Sequence, residues 1–480
     1  MNALRWAGFF VLWISSAPSL AVADDGDAPT VDTSTSYTGP NGRLVVVGEP
    51  LPKGRDGKYE RVQVPDVDGR PPKGPTVGES LLWVPRVVFF PVYVVTEYVI
   101  RRPVGWLLTT AERQQWPALF IEIFTFGENR NFGIVPTAFV EFNFQPSIGV
   151  YMFGNDVFVD GHDIRANASF GGIDWLLANV SDRWALTESL RLDLGFFFES
   201  RPDHIFHGLG PDSLFDDRSR YQRQRLQGSV GLLQRLAQHG DLRLTASIEE
   251  STFDLEDTAF QDDDPSLREA IRLGFFEAPA GTDGYFVLRS EASALYDTRT
   301  NLRRNGNGAT VRATVQYAAD LNERGRREWV TTAGGLSGHL DLGHNRILTL
   351  AGFASNTFRL GAEAVPFTEL PTSGWQPLVL GAYMPGRLTG NSIAVASLDY
   401  RYEVWALIDG HAFLSLGNVF GEEFDGLTGD NLRISYGLGF ASVGDPDASF
   451  NFLLGFGHET FEQGSGLDTV RLLLGFQPSF

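Results

Sequence analysis

The stretch IAVASLDYRYEVW, residues 393–405, decides how the rest of the chain is read. Ser397, Asp399, Arg401 and Glu403 alternate there with Ala396, Leu398, Tyr400, Tyr402 and Val404. A period of two, with one polar and one aromatic-aliphatic face, is a strand lying between two different solvents. In a sandwich the apolar face is core; in a membrane barrel it meets lipid and the polar face lines the lumen. Upstream lies PLVLGAYMPGRLTGNS, residues 377–392, glycine-rich and polar at its end, as a long ordered loop would be. Downstream, a tight connection at Leu407–Gly410 leads into a second strand, HAFLSLGNVF, residues 411–420.

The rest of the chain chooses between the two settings. From about Thr137 the same alternation hardly stops: Arg165, Asn167 and Ser169; Arg223, Arg225 and Gln227; Arg243, Thr245, Ser247 and Glu249; Arg289, Glu291 and Ser293; Arg312, Thr314 and Gln316. Arginines and carboxylates in mid-strand could not enter a dry core unpaired. The segments number sixteen, centred near 138, 150, 167, 178, 194, 229, 246, 290, 314, 335, 350, 399, 415, 437, 453 and 474. Lipid tolerates no open sheet edge, so such strands must close on themselves. The expected fold is all-β: a 16-stranded antiparallel transmembrane barrel over residues 118–480. The longest connections, near 201–221, 255–283 and 359–391, all fall at one end, as in outer-membrane barrels; residues 298–307 are an exception at the other. The last strand ends on Phe480, with Gly475 before it and Val470, Leu472, Leu474 and Phe476 on one face. Pro478 removes a ladder donor, so pairing there should fray.

Composition agrees. The net charge of -20 argues against nucleic acid as a partner. With no cysteine there is no disulfide and no thiolate chemistry. Arg5, the apolar run Trp6–Ile14 and Ala21-Val22-Ala23 form a secretory signal over residues 1–23. Residues 24–78 read as a periplasmic linker with one β-like run at Leu44–Val47. Residues 79–117 read as amphipathic helices broken by Pro85, Pro91 and Pro103, lying at the periplasmic mouth.

Catalytic constellations do not emerge. Ser415 and Ser435 read as lumenal wall, and His204, His207, His339 and His344 are scattered without a metal motif. The acidic run Asp254, Glu256, Asp257, Asp262, Asp263 and Asp264 reads as a solvated loop before it reads as a cation site. The expectation is a protein that is not an enzyme and needs no cofactor or metal.

From Tyr383 to Phe420 the order loop, strand, short turn, strand resembles the BamA/TamA superfamily of outer-membrane barrels, the bacterial surface antigens. Three further stretches are similar. Tyr296-Asp297-Thr298-Arg299, followed by Arg303, Arg304 and Gly308, resembles the family's periplasmic turn after strand eight. Gly208-Leu209-Gly210-Pro211-Asp212-Ser213, then Asp217 and Tyr221, resembles its third outer loop, and Phe89–Glu112 the helix preceding the barrel. The resemblance covers about residues 80–480. It implies a sixth loop folded into the lumen, in which an arginine of an Arg-Gly-aromatic triplet pairs with an aspartate of strand thirteen. Here the triplet is Gly381-Ala382-Tyr383 and the aspartate position is Ser415, ahead of Gly417 and Asn418. Both partners of that lock are absent, which leaves no unpaired charge in the wall. Arg387 is expected to take over the tether, reaching Asp399 or Glu403 beside Arg401.

The resemblance also implies a Gram-negative outer-membrane location with the N-terminal segment in the periplasm. Residues 24–78 hold too little alternation for a POTRA domain, so a member without them is expected. The implied function is non-catalytic assistance in insertion, assembly or translocation of protein or lipid. It would work through a weak seam between the first and last strands, near Thr137 and Phe480. Implied partners are outer-membrane lipid and lipopolysaccharide, protein or lipid clients, and the barrel-assembly machinery for the chain's own insertion. A passive pore for small solutes is the alternative.

Overall fold

The computed structural model describes residues 36–38, 44–46, 122–127, 130–256, 264–300, 306–322, 325–343, 345–374, 378–405, 408–443 and 449–477. The signal peptide, nearly all of the linker, the helical segment 79–117, Arg303, Arg304, Pro478 and Phe480 lie outside the described residues. In the first of two compact units, Ser36–Thr38 pairs antiparallel with Leu44–Val46, so the β-like run acquires a partner that sequence alone did not supply.

The second unit is a closed antiparallel barrel of sixteen strands, preceded by a two-residue strand at Thr125–Phe126. The first eight are β1 (Phe132–Glu141), β2 (Ser147–Gly154), β3 (His162–Gly172), β4 (Trp175–Ala185), β5 (Leu190–Phe206), β6 (Ser219–Leu236), β7 (Gly240–Asp254) and β8 (Tyr285–Asp297). The second eight are β9 (Gly308–Asp320), β10 (Glu328–Asp341), β11 (Ile347–Arg359), β12 (Ser392–Trp405), β13 (Ile408–Phe420), β14 (Arg433–Ser442), β15 (Ser449–Thr460) and β16 (Leu467–Gln477). Each of the sixteen segments read from the sequence falls within one of these strands.

Alternation explains both surfaces. Leu194, Phe196, Leu226, Val230, Leu244, Ile248, Leu336 and Leu350 point outward and are exposed, forming the apolar belt that hydrocarbon requires. Their neighbours in sequence turn inward and are largely polar. Among the described residues no helix is long and apolar enough to cross a membrane.

Strands β5 to β7 run 17, 18 and 15 residues and project beyond their neighbours. The projection shortens the third connection at that end, loop three, to residues 207–218, less than the sequence suggested. At the same end lie 255–284 and 360–391, whereas at the other end β12 and β13 pair as far as Trp405↔Ile408, so Ile408–Gly410 of the connection read from the sequence is strand and Leu407 lies outside the described residues. The connection 255–284 carries a helix, α1 (Leu267–Leu273), which strand alternation does not signal. Its signal is the capping sequence Ser266-x-x-Glu269, with Gly274 as the left-handed C-cap at φ 79.

Pairing around the wall is uneven. Strands β6 and β7 stay in register from Gly240↔Leu236 to Asp254↔Gln222. Among the described residues the closing pair, β16 and β1, shares Leu473↔Glu141, Leu474↔Val140 and Gly475↔Phe139. A further amide bond runs from Phe142 to the Leu472 carbonyl at 3.0 Å. Near the start of β16, Gly457↔Thr469 is followed by His458↔Leu467, so Asp468 is an extra residue in the strand. Such a bulge re-aims side chains. It brings Asp468 and Arg471, three apart and so on opposite faces of a regular strand, to the same interior.

Candidate functional site at the sixth loop and the seam

Loop six, residues 360–391, folds back into the lumen. Val379, Leu380, Tyr383 and Leu388 pack on Ile393 and Val395 of β12 and Val419 of β13. Ala382 packs with Phe413, Leu453 and Leu473, and Met384 with Phe144 and Ile205. An apolar core thus forms inside a wall that is otherwise polar, driven by removal of these side chains from water.

The wall is shaped for the triplet Gly381-Ala382-Tyr383. A Cβ on Gly455 would lie 2.8 Å from Ala382, and one on Gly457 would lie 2.6 Å from the Tyr383 ring. Only glycine at these two inward positions of β15 lets the loop lie flat. Tyr383 Oη lies 2.5 Å from the His458 carbonyl and accepts from the His458 amide at 2.9 Å. The Ala382 amide donates to Ser435 Oγ at 3.1 Å. Ser435, read from the sequence as plain wall, therefore touches the triplet. Ser415 does not; its Oγ lies 3.0 Å from Ser397 Oγ, which donates to the Leu378 carbonyl at 2.5 Å. At Gly417 the Ala394 carbonyl would lie 2.2 Å from a Cβ, so this position serves close strand approach.

Besides Glu363, which pairs with Arg326 and Arg327, three anchors built on charged side chains hold the described part of the loop to the strands of the wall. At its start, the short turn Phe367–Glu369 presents Glu369 to Arg289 of β8 at 2.6 Å and to Tyr285 Oη at 2.7 Å. Arg289 also meets Glu249 at 2.8 Å, and Glu249 in turn binds Arg225 at 2.7 Å and Arg223 at 3.0 Å. This ion network lines a cavity of about 410 Å³ between loop six and the wall.

The second anchor corrects the sequence expectation for Arg387. Arg387 reaches neither Asp399 nor Glu403; it donates to Asp468 Oδ2 at 2.8 Å and to Ser213 Oγ at 3.0 Å. Arg433 of β14 donates to the same Oδ2 at 3.2 Å and to the carbonyls of Ser213 and Pro211 at 2.9 and 3.1 Å. Position explains the difference. Glu403 sits opposite Asp409, next to the short connection at 406–407, whereas Arg387 lies under the long loops. The expected acids have nearer partners too: Asp399 lies 3.4 Å from His411, and Glu403 accepts from Asn345 at 2.7 Å. Arg401 sits half-buried between them on the lumenal face. Arg387, Arg433 and Asp468 are fully buried, so their mutual pairing and the loop-three carbonyls replace water.

The third anchor is Arg471 of β16. Its Nη1 lies 2.7 Å from the Gly374 carbonyl and 3.0 Å from those of Gly381 and Tyr383. Its Nε donates to Glu141 of β1 at 2.7 Å. An arginine does hold the loop, but it belongs to the wall, and what it grips is main chain.

Loop three completes the seat. The Pro211 carbonyl accepts from Asn418 at 3.1 Å, and the Gly210 amide donates to the Thr389 carbonyl at 2.9 Å. His207, buried beside Phe215, is held well below the usual imidazole range first by burial and then by Arg387, Arg218 and Arg220. Asp264 of the acidic run is taken up by Arg218 at 2.7 Å and Arg220 at 2.6 Å, and so serves loop packing. Asp257, Asp262 and Asp263 lie outside the described residues. At the opposite end Asp297 accepts from Arg299, whose Nη2 is 2.5 Å away, and closes the turn between β8 and β9. Gly475 clears room for Phe139, whose ring would lie 2.4 Å from a Cβ there.

Residues 156–456, more than half of the chain, match the model of the Omp85 superfamily domain. The crystal structure of BamA from Haemophilus ducreyi lacking POTRA domains 1–3 superposes with TM-score 0.51 at 13% identity, over 72% of this chain and 70% of that one. CdiB from Acinetobacter baumannii gives 0.46 at 9% identity, over 72% and 59% of the two chains. No curated protein sequence matches the chain.

Proposed function

The chain belongs to the Omp85 superfamily, and from that premise we propose that it assists insertion or translocation of protein or lipid at a seam between β16 and β1. An integral place in a Gram-negative outer membrane follows from the family and the barrel. The observation that carries the reading is the seam itself, three residue pairs long among the described residues in a wall paired far more extensively elsewhere. Every unpaired backbone group is costly in lipid, so a wall parts where the fewest pairs must be broken. A parted seam offers strand edges and a locally disturbed bilayer to a client. The work requires no nucleophile, metal or cofactor, only edges and a controllable loop. In this reading the long connections face outward among lipopolysaccharide, the N-terminal segment is periplasmic, and the assembly machinery inserts the barrel.

The passive-pore alternative is disfavoured by loop six, whose Leu380, Ala382, Tyr383 and Leu388 are fully buried in the lumen. Reconstitution tests both. Liposomes containing the full chain should speed folding of an unfolded outer-membrane barrel relative to empty liposomes, and single channels should be nearly silent until residues 375–390 are deleted. Steady conductance of the intact chain without any effect on folding would overturn the proposal in favour of a pore.

A further inference from the structure

The anchors of loop six do not rest on equivalent parts of the wall. Glu369 is held by Arg289 of β8, within a continuous run of long strands. The tip and the returning limb are held by Arg471 and Asp468, both on β16, the strand that closes the barrel through three pairs. Arg471 does two things at once. Its Nε bonds Glu141 across the seam and its Nη1 faces three loop carbonyls. Both charged partners are almost completely buried, so water does not readily replace either contact.

We propose that Arg471, with Asp468 as its second foothold, couples loop six to the seam, so that loop release and seam opening are one event. The inference rests on the seam reading above and names the residues that regulate it. When β16 moves away from β1, Glu141 loses the arginine that pairs with it among the described residues, and the guanidinium carries the carbonyls of Gly374, Gly381 and Tyr383 with it. The loop start stays on β8, so the loop is pulled between two parts of the wall until its tip lets go. In the other direction, withdrawal of the tip leaves three carbonyls without their donor and loosens the side chain that spans the seam. A fixed arginine fork serves this geometry because it presents donors in two directions at once; a lysine, a single flexible point charge, cannot hold both sides. Arg471 is thus a positioning residue.

The chain has no native cysteine, so single thiols report cleanly. Val379→Cys, at the loop tip, is the labelling probe, and its maleimide reaction is followed in the refolded full chain. A second chain adds Val140→Cys and Leu474→Cys, a directly opposed pair across the seam. With their disulfide formed, Val379→Cys is the one free thiol. Labelling should be several-fold slower in the oxidised chain than in the Val379→Cys chain without the seam pair. Arg471→Met should speed labelling by at least roughly tenfold, the factor expected from losing one charge-assisted hydrogen bond. Arg471→Lys should fail to restore the slow rate. Equal labelling with the seam locked and unlocked overturns the coupling. So does an Arg471→Met chain that labels at the native rate. If Arg471→Met does not assemble, the locked and unlocked comparison on the Arg471 chain still decides. Client insertion is not a readout here, so failure of the insertion reading and failure of this coupling are distinguishable.

Discussion

The wall from β6 to β8 and the seam from β16 to β1 are built from the same alternation and solve opposite problems. In the first, long strands stay in register and Glu249 gathers three arginines while Arg289 passes the charge on to Glu369. Both carboxylates of that network, Glu249 and Glu369, have more than one arginine partner. In the second, three residue pairs close the barrel among the described residues, and one guanidinium joins the two strands and the loop. Redundancy makes the one region a fixed wall. Single dependence makes the other a place where one substitution, or one client strand, changes the whole site.

That contrast orders the expected effects of substitution. Arg471→Met strands Glu141 and three carbonyls in a buried site, and breaking such a pair costs about 3–5 kcal/mol. Stability read from denaturant unfolding or heat-dependent gel mobility should fall accordingly. Asp468→Asn leaves Arg387 and Arg433 buried without their common carboxylate. Because loop-three carbonyls remain as acceptors, the loss should be smaller, about 2–3 kcal/mol by the same measurement. Glu369→Gln in the fixed wall should cost only about 1 kcal/mol, since Arg289 keeps Glu249. If Glu369→Gln proves more damaging than Arg471→Met, the distinction between the two regions fails.

The smallest effect is one of pH. His207 is held neutral in the folded loop well below its ordinary 6.5. The unfolded loop therefore binds a proton that the folded loop refuses once pH drops below about 6.5. Stability from this residue is complete above that value and declines as pH falls through the window beneath it, at up to about 1.4 kcal/mol per unit. His207→Gln should flatten the pH dependence of thermal stability between roughly pH 6.5 and 5. An unchanged slope would mean that His207 titrates normally.

Much of the barrel was legible in the sequence because alternation is a property of each strand alone. All sixteen strands could be located from it. Their ends could not, since β5 to β7 project past the belt where no lipid enforces the pattern. The seat of loop six was only half legible. Gly381-Ala382-Tyr383 marks it, and the alternate glycines Gly455 and Gly457 are its matching signal in the wall. The lock itself was hidden. Main-chain carbonyls carry no sequence identity, so a wall arginine gripping them leaves no motif. Asp468 faces inward only because of a bulge that alternation counting would place on the other face. Arg387 was recognised as a tether but matched to acids in the wrong half of β12, because facing the lumen says nothing of height within it.

The most direct test of the central claim is client folding in liposomes containing the Val140→Cys/Leu474→Cys chain, measured oxidised and then reduced. If β16 and β1 must part, oxidation abolishes the acceleration and reductant restores it. Equal acceleration with the seam covalently closed would contradict the account and move the working surface elsewhere on the barrel.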